Sequence, residues 1–428
     1  MRAAARAAET PSIPARRAWT RRSRPAAPLH AFAGCGIELE YMIADRDTLA
    51  IRPIAERVLP ALAKAQAKAD PSGELEWSNE LVRHVVEVKN VAPTPDLASL
   101  SRRLHDAVRT ANAALVPENA RLMPTAMHPF MDPRAEATLW DDDIYHAYDR
   151  IYGCRDHGFA NLQAMHVNLP FAGDAEFERL HAAIRLVLPL LPALAASSPI
   201  AEGRVTGYLD SRLDAYRRIC AITPSVAGMI VPETVATRAE YEAKILAPMY
   251  AEIAPHDPAG LLRHEWLNSR GAIARFERNA IEIRVVDVQE CPQADAAIAA
   301  ATASVVESLF AERFAPLDAQ QAIGTEVLVD VLGRTIRDAD RAVVDERDLL
   351  RALGIASSRV SAAQVWSSLV DVPEHDGAWW RPAVDLILRE GPLARRIVRA
   401  SGRDAGRDHL HAVYAALCDC LEHGRMLA

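Results

Sequence analysis

Two glutamates one residue apart, Glu38 and Glu40, stand in the strand-like run Gly36-Ile-Glu-Leu-Glu-Tyr-Met-Ile43. On a period of two, Ile37, Leu39 and Tyr41 face one side and both carboxylates face the other. Neighbouring carboxylates on one strand face repel, so that face is either wet or shared with cations. A wet face is the ordinary reading, because antiparallel sheets commonly expose one side. The pattern recurs, however. Acids enter the apolar stretch 74–90 at Glu80 and Glu87, His166 and Asn168 share one face of 163–169, and Glu282 and Arg284 oppose Ile281, Ile283 and Val285. A lone strand histidine is more often a hydrogen-bonded core residue than a ligand. Four strand-like segments with polar groups on one face ask for more, and a sheet curved around a polar cleft would converge them. Carboxylate oxygens with one imidazole suit Mg²⁺ or Mn²⁺ better than zinc. Arginines beside them suit phosphate or carboxylate.

The elements that must position these groups follow from periodicity and punctuation. Helical spacing covers 52–68, closed by Asp70-Pro-Ser-Gly73, and again 95–115 and 174–195. Thr237-Arg-Ala-Glu240 has the form of a capping box, so a helix begins there and runs towards Tyr250. Strands are expected near 121–127, ahead of the loop His128-Pro-Phe130, and over 275–288. Glu80 and Glu87 lie an odd number of residues apart, so a bulge or an irregular start is needed to bring both inward. After Pro292 the pattern is almost wholly helical. The expected architecture is α+β: a curved, mainly antiparallel sheet with outer helices over 34–315, and a helical region, 316–428, packed on it.

Composition narrows the class. A chain of 428 residues, 50% hydrophobic and 25% charged, is long enough for a large core and has a globular profile. No apolar run approaches a membrane span, since the longest candidate, 186–196, is broken by Pro189 and Pro192. A net charge of −8 argues against nucleic acid as the main partner. Six scattered cysteines suit a reducing cytoplasm, and Cys418-Asp-Cys420 reads as two helical cysteines. The first 33 residues hold seven Arg, one Glu and four Pro, and read as a disordered extension, a targeting leader or an over-extended start. There is no Gly-x-x-x-x-Gly-Lys loop and no Gly-x-Gly-x-x-Gly turn, so a nucleotide would be held by metals and arginines.

The chain resembles the glutamate–cysteine ligase and carboxylate–amine ligase family, whose fold is similar to that of glutamine synthetase. The likeness rests on Gly36-Ile-Glu-Leu-Glu40, Asn79-Glu-Leu-Val-Arg-His-Val-Val-Glu87, His128-Pro-Phe130, Met165-His-Val-Asn168, Ala196-Ser-Ser-Pro-Ile200 with Thr206-Gly-Tyr208, and Ile281-Glu-Ile-Arg284 with Asp287. These occur in the family's order. The resemblance implies ATP and Mg²⁺, with Mn²⁺ as a substitute, inside a funnel of antiparallel strands. It implies Glu38, Glu40, Glu80, Glu87, His166 and Glu282 as metal ligands, Arg284 near the transferred phosphate, Asn168 beside it at the nucleotide, and Arg212 as an arginine of the substrate loop. Two departures stand out: Glu80 where some members carry Asp, and His166-Val-Asn168 in place of the His-Val-His of one branch. The implied reaction activates the γ-carboxylate of glutamate as an acyl phosphate and joins it to an amine, cysteine foremost. Another amine or carboxylate, a metal-dependent hydrolase and a non-catalytic binding relative remain as alternatives. Small molecules are the expected partners, and a homodimer is left open.

Overall fold

A computed structural model of the protein describes residues 27–219, 221–402 and 406–427. Its centre is a seven-stranded sheet built from β1 (Gly36–Asp45), β2 (Leu75–Asn79), β3 (Val85–Asn90), β4 (Ala120–Met123), β5 (Ala164–Pro170), β6 (Ala272–Arg275) and β7 (Ala280–Asp287). The order is β2-β3-β1-β5-β7-β6, every neighbour antiparallel, with β4 pairing the far half of β1. Thus β1 is the hub: β3 lies along one edge, and β5 and β4 share the other. Its apolar side chains Ile37, Leu39, Tyr41 and Ile43 are fully buried against helices, as alternation predicts.

Behind the sheet lie α1 (Ala55–Ala69), α2 (Leu97–Leu115), α4 (Gly173–Val187) and α6 (Pro292–Phe310), while α3 (Asp143–Tyr152) and α5 (Ser211–Ile219) border the other face. Helix α6 packs on both α2 and α4 and is buried nearly all round. Its run of alanines explains this, because small side chains let neighbouring backbones approach closely. The C-terminal part is built mainly from five longer helices, α7 (Thr325–Asp338), α8 (Ala362–Val370), α9 (Arg381–Glu390), α10 (Leu393–Ser401) and α11 (Arg407–His423), with shorter helices at Leu317–Gln321 and Arg347–Ala352. Arg121 on β4 reaches Asp419 on α11 at 2.8 Å, which joins that part to the sheet.

Several expected boundaries move. The strand expected over 275–288 is a hairpin: β6 ends at Arg275 and β7 begins at Ala280, with Asn279 at φ 51° in the turn. Helix α4 stops at Val187 and gives way to short turns around Pro189 and Pro192. The Thr237 box is half formed: its hydroxyl accepts from the Glu240 amide, but Glu240 reaches the Ala236 N–H instead of closing on Thr237. Cys418 and Cys420 lie buried on α11, as expected. The expected extension at 1–33 falls outside the described residues as far as residue 26. Residues 27–33 are described, and there Phe32 meets Phe310 edge-on at 5.3 Å while His30 and the Ala31 amide bond Glu176. These last residues touch α4 and α6, so they are part of the fold.

Candidate active site

Cross-strand register explains why the polar groups meet. Glu38 on β1 stands opposite His166 on β5 and Lys89 on β3, Glu40 opposite Glu87, and Asn168 opposite Glu282 on β7. Directly opposed residues of an antiparallel pair point to the same face, so one register gathers seven side chains from four strands above the sheet. The β5–β7 register shifts between Met165 and Val167, which leaves His166 at a bulge and re-aims its ring. His166 Nδ1 lies 3.4 Å from Glu38 Oε2 and 3.7 Å from Glu282 Oε1, and Nε2 lies 3.9 Å from Glu40 Oε1. Asn168 donates to Glu38 Oε1 at 3.2 Å. The Ala164 amide donates to Glu40 Oε2 at 2.8 Å.

Glu80 and Glu87 do converge, but not by a bulge. Glu80 follows the last residue of β2, in the connection to β3, where strand parity no longer applies. Oxygens of Glu40, Glu80 and Glu87 lie within 4.8 Å of one another. All three line a cavity of about 210 Å³ with Glu38, His166, Glu282 and Arg284. Its opposite wall is aromatic: Tyr145 and Tyr148 from α3, Phe159, Tyr216 from α5, and Trp266. Tyr148 packs against Trp266 at 5.9 Å between ring centres.

The acids are not left to repel one another. Arg284 Nε lies 3.3 Å from Glu282 Oε1, Arg275 donates to Glu282 Oε2 at 2.8 Å, and Arg278 stands 3.9 Å from Glu38 Oε1. Lys89 and Ser78 both donate to Glu87 Oε1. Burial works against ionising Glu38, yet the hydrogen bond and charge of His166, with Lys89 and Arg278, hold its carboxyl well below the usual range. Burial also opposes a charged imidazole, but Glu38, Glu282 and Glu40 outweigh it and raise the His166 pKa. For Glu40 burial prevails over His166 and the Ala164 amide, and its pKa rises. Glu282 moves down against its burial because Arg284 and Arg275 flank it.

Arg212 is not among the side chains that line the cavity. Its guanidinium is buried beneath the site, with Nε on Asp287 and both terminal nitrogens 3.4 Å from the Arg284 carbonyl. The physical reason is Asp287, a carboxylate with no exposed surface that also accepts from the Ser197 amide at 2.8 Å and the Ser198 hydroxyl at 2.9 Å. A charge so buried needs a cationic partner, and Arg212 supplies it. The structure thus sets Arg212, expected as an arginine of the substrate loop, against Asp287 and the backbone that carries Arg284. The Ser197-Ser198 motif belongs to the same buried network.

Lys89, Arg275, Arg278 and the aromatic wall were missed by sequence reasoning. Lys89 had a signal, since it lies two residues after Glu87 and so shares its face of β3. Arg275 has none, because the alternation over 275–288 predicts one strand and not a hairpin.

The donor set is rich in carboxylate oxygen and contains one imidazole, which fits a hard divalent cation. Asn168 Oδ1 is buried without a hydrogen-bond partner, so an acceptor beside Glu38 is still to be satisfied.

A curved antiparallel sheet with outer helices and an acid-lined cavity on one face is the glutamine synthetase-like ligase fold. Two solved structures share it. A bifunctional glutathione synthetase from Pasteurella multocida matches with TM-score 0.59 and 14% identity, covering 92% of this chain and 53% of that one. A glutamate–cysteine ligase from Francisella tularensis, in complex with AMP, matches with TM-score 0.55 and 11% identity, covering 91% and 88%. At these identities the likeness concerns the fold alone. The chain belongs to glutamate-cysteine ligase family 2, whose model matches residues 35–415. It is thus a carboxylate–amine ligase, of the class that forms C–N bonds. An uncharacterised protein of Archaeoglobus fulgidus is 29% identical over 395 residues, 91% of this chain and 99% of its own length. Among the described residues no helix is long and apolar enough to cross a membrane.

Proposed function

We propose that this ligase uses ATP to activate the γ-carboxylate of glutamate and joins it to an amine, with cysteine as the acceptor. The observation that carries the reading is the convergence of Glu38, Glu40, Glu80, Glu87, Glu282 and His166 with Arg284 around one cavity. A carboxylate is a poor electrophile, so one of its oxygens first takes the γ-phosphoryl group of ATP, with ADP released; the amine then attacks the acyl carbon and that oxygen departs as inorganic phosphate. Glu40, Glu80 and Glu87 would hold one Mg²⁺ or Mn²⁺, and Glu38, His166 and Glu282 would hold another. Bound there, the ions supply positive charge to the phosphate oxygens of ATP. Asn168 keeps Glu38 turned towards the cavity, and its free Oδ1 can accept from the nucleotide or from an ion-bound water. Arg284 is fixed by Glu282 and by the Asn268 carbonyl at 3.2 Å, which aims its guanidinium at charge developing on the transferred group. The five described cysteines are unpaired and buried, in keeping with a cytoplasmic location.

The test is phosphate release with ATP and Mg²⁺, screened over amines and thiol amino acids. Release that requires both glutamate and cysteine supports the reading. Turnover without nucleotide points to a hydrolase and overturns it. The aromatic wall of Tyr145, Tyr148 and Trp266 favours a bulkier amine as the second reading, which the same screen separates.

A further inference from the structure

We propose that Lys89 is a resident counter-cation of the acid cluster, and that its ammonium sets how tightly a divalent ion binds at Glu40, Glu80 and Glu87. The inference rests on the reading of those three acids as an ion site. It adds a residue that lies outside the expected ligand set and competes with the ion.

The geometry begins with β3. Lys89 follows Glu87 by two residues, so both side chains rise from the same face, and its cross-strand neighbours are Glu38 on β1 and Glu76 on β2. The side chain is enclosed, with 14% of its surface exposed against 5% for Glu87. Its Nζ contacts Glu87 Oε1 and lies 3.3 Å from Ser78 Oγ, which itself donates to that same oxygen at 2.9 Å. Two donors thus converge on one oxygen of a carboxylate that also stands within 4.8 Å of oxygens of Glu40 and Glu80. A divalent ion on this cluster has a fixed ammonium as a near neighbour across a single carboxylate group. In a site this enclosed, water screens the repulsion weakly. The lysine therefore neutralises the cluster when the ion is away and opposes the ion when it arrives.

The experiment is calorimetric titration of the full chain with MnCl₂, without nucleotide, alongside melting in chelator and in Mn²⁺. Lys89→Met should bind Mn²⁺ about ten- to a hundredfold more tightly than wild type, by removing one charge at close range. It should also melt lower in chelator and gain more from Mn²⁺. Lys89→Arg keeps the charge and should stay within a few-fold of wild type. If Lys89→Met is not recovered folded, Lys89→Gln takes its place, because the amide can still bond Ser78. Unchanged or weaker Mn²⁺ binding by the neutral variants overturns the proposal. So does an unchanged Mn²⁺ affinity with weakened Mn-ATP binding, which would make Lys89 a nucleotide contact. A wild-type protein that binds no Mn²⁺ removes the underlying site reading, and the proposal falls with it. That outcome is told apart by wild type alone.

Discussion

Among single residues, Glu38 is the one whose replacement separates the candidate chemistry from a solvated sheet face. Its carboxylate is bound by His166 and Asn168 and approached by Arg278. Glu38→Gln keeps the shape and removes the charge. We expect it to abolish ATP-dependent ligation and to erase most of the rise in melting temperature caused by Mg-ATP, while the protein stays folded. Turnover and the Mg-linked rise both left unchanged would return Glu38 to a structural role. Relief of repulsion should be small in the metal-free protein, because the acids already have cationic partners. Arg284→Lys keeps a charge but loses the planar fork that spans Glu282 and the Asn268 carbonyl. Its turnover should fall roughly a hundred- to thousandfold, about 3 to 4 kcal/mol, with nucleotide affinity less affected. Steady-state kinetics beside equilibrium ATP binding distinguishes the two effects. The acids were legible because Glu38 and Glu40 interrupt one face of an apolar strand, and Glu87 and Glu282 each repeat that interruption in another. Of the cations that balance them Arg284 was legible beside Glu282, whereas Lys89 and Arg278 stand near strand ends, where a charge is ordinary and draws no notice.

At the scale of elements, three buried histidines carry a pH dependence, and two of them, His84 and His128, tie distant loop carbonyls into the fold. His128 donates from Nε2 to the Leu49 carbonyl at 2.7 Å and accepts the Phe130 amide at Nδ1. That pairing requires the neutral ring, and it accounts for His128-Pro-Phe130 as a turn lock. His84 bonds the Ala160 carbonyl at 2.9 Å, and His181 is enclosed on α4. Burial pushes His84 and His128 down to about 4 and His181 to about 3, from an ordinary 6.5. The unfolded chain therefore takes up protons first as pH falls. Stability from these rings is intact above about pH 6.5 and is lost between there and about 4, at roughly 2 kcal/mol each by pH 5. His166, whose pKa is raised by Glu38, Glu282 and Glu40 against its burial, acts in the opposite sense, as do the carboxyls of Glu40, Asp210 and Asp295, which burial pushes up. Lowering the pH from 7.5 to 5 in chelator should therefore cost wild type more stability than it costs His84→Gln or His128→Gln, read from denaturant midpoints, and equal costs would contradict the assignment. Element types were mostly legible from periodicity. The β6–β7 hairpin was not, because Phe276-Glu-Arg-Asn279 contains neither glycine nor proline and only Asn279 adopts the left-handed backbone.

For the whole molecule, the sharpest question concerns where the fold begins. Residues 1–26 are rich in Arg, Ala and Pro without apolar periodicity, whereas Phe32, Ala31 and His30 engage Phe310 and Glu176. Deleting 1–26 should leave melting temperature and rate nearly unchanged. Deleting 1–33 should cost about 1 to 2 kcal/mol, from the aromatic pair and the Glu176 contacts. Comparative melting of the two truncations checks this, and a large loss from the shorter one would show that residues 1–26 contribute to the core. The division into an acid-bearing sheet and a helical C-terminal part was legible from the change of period near residue 290. How the helices wrap the sheet was not, because contacts such as Arg121 with Asp419 join positions 298 apart, and no local pattern records them.

The wiring of the sheet also bears on time. Glu38 meets His166 across 128 positions of chain, and β7 enters only after another long excursion. No hairpin contains an acid of β1 together with His166 or Glu282, so the cavity has no local precursor and closes only when distant strands have found their register. An ion in solution then has little to grip before the slow step of folding is past. Its influence falls on the return journey, by delaying loss of the native state instead of hastening its formation. The concentration of divalent ions would set how long each folded copy lasts, while the pace at which new copies mature stays a property of the chain.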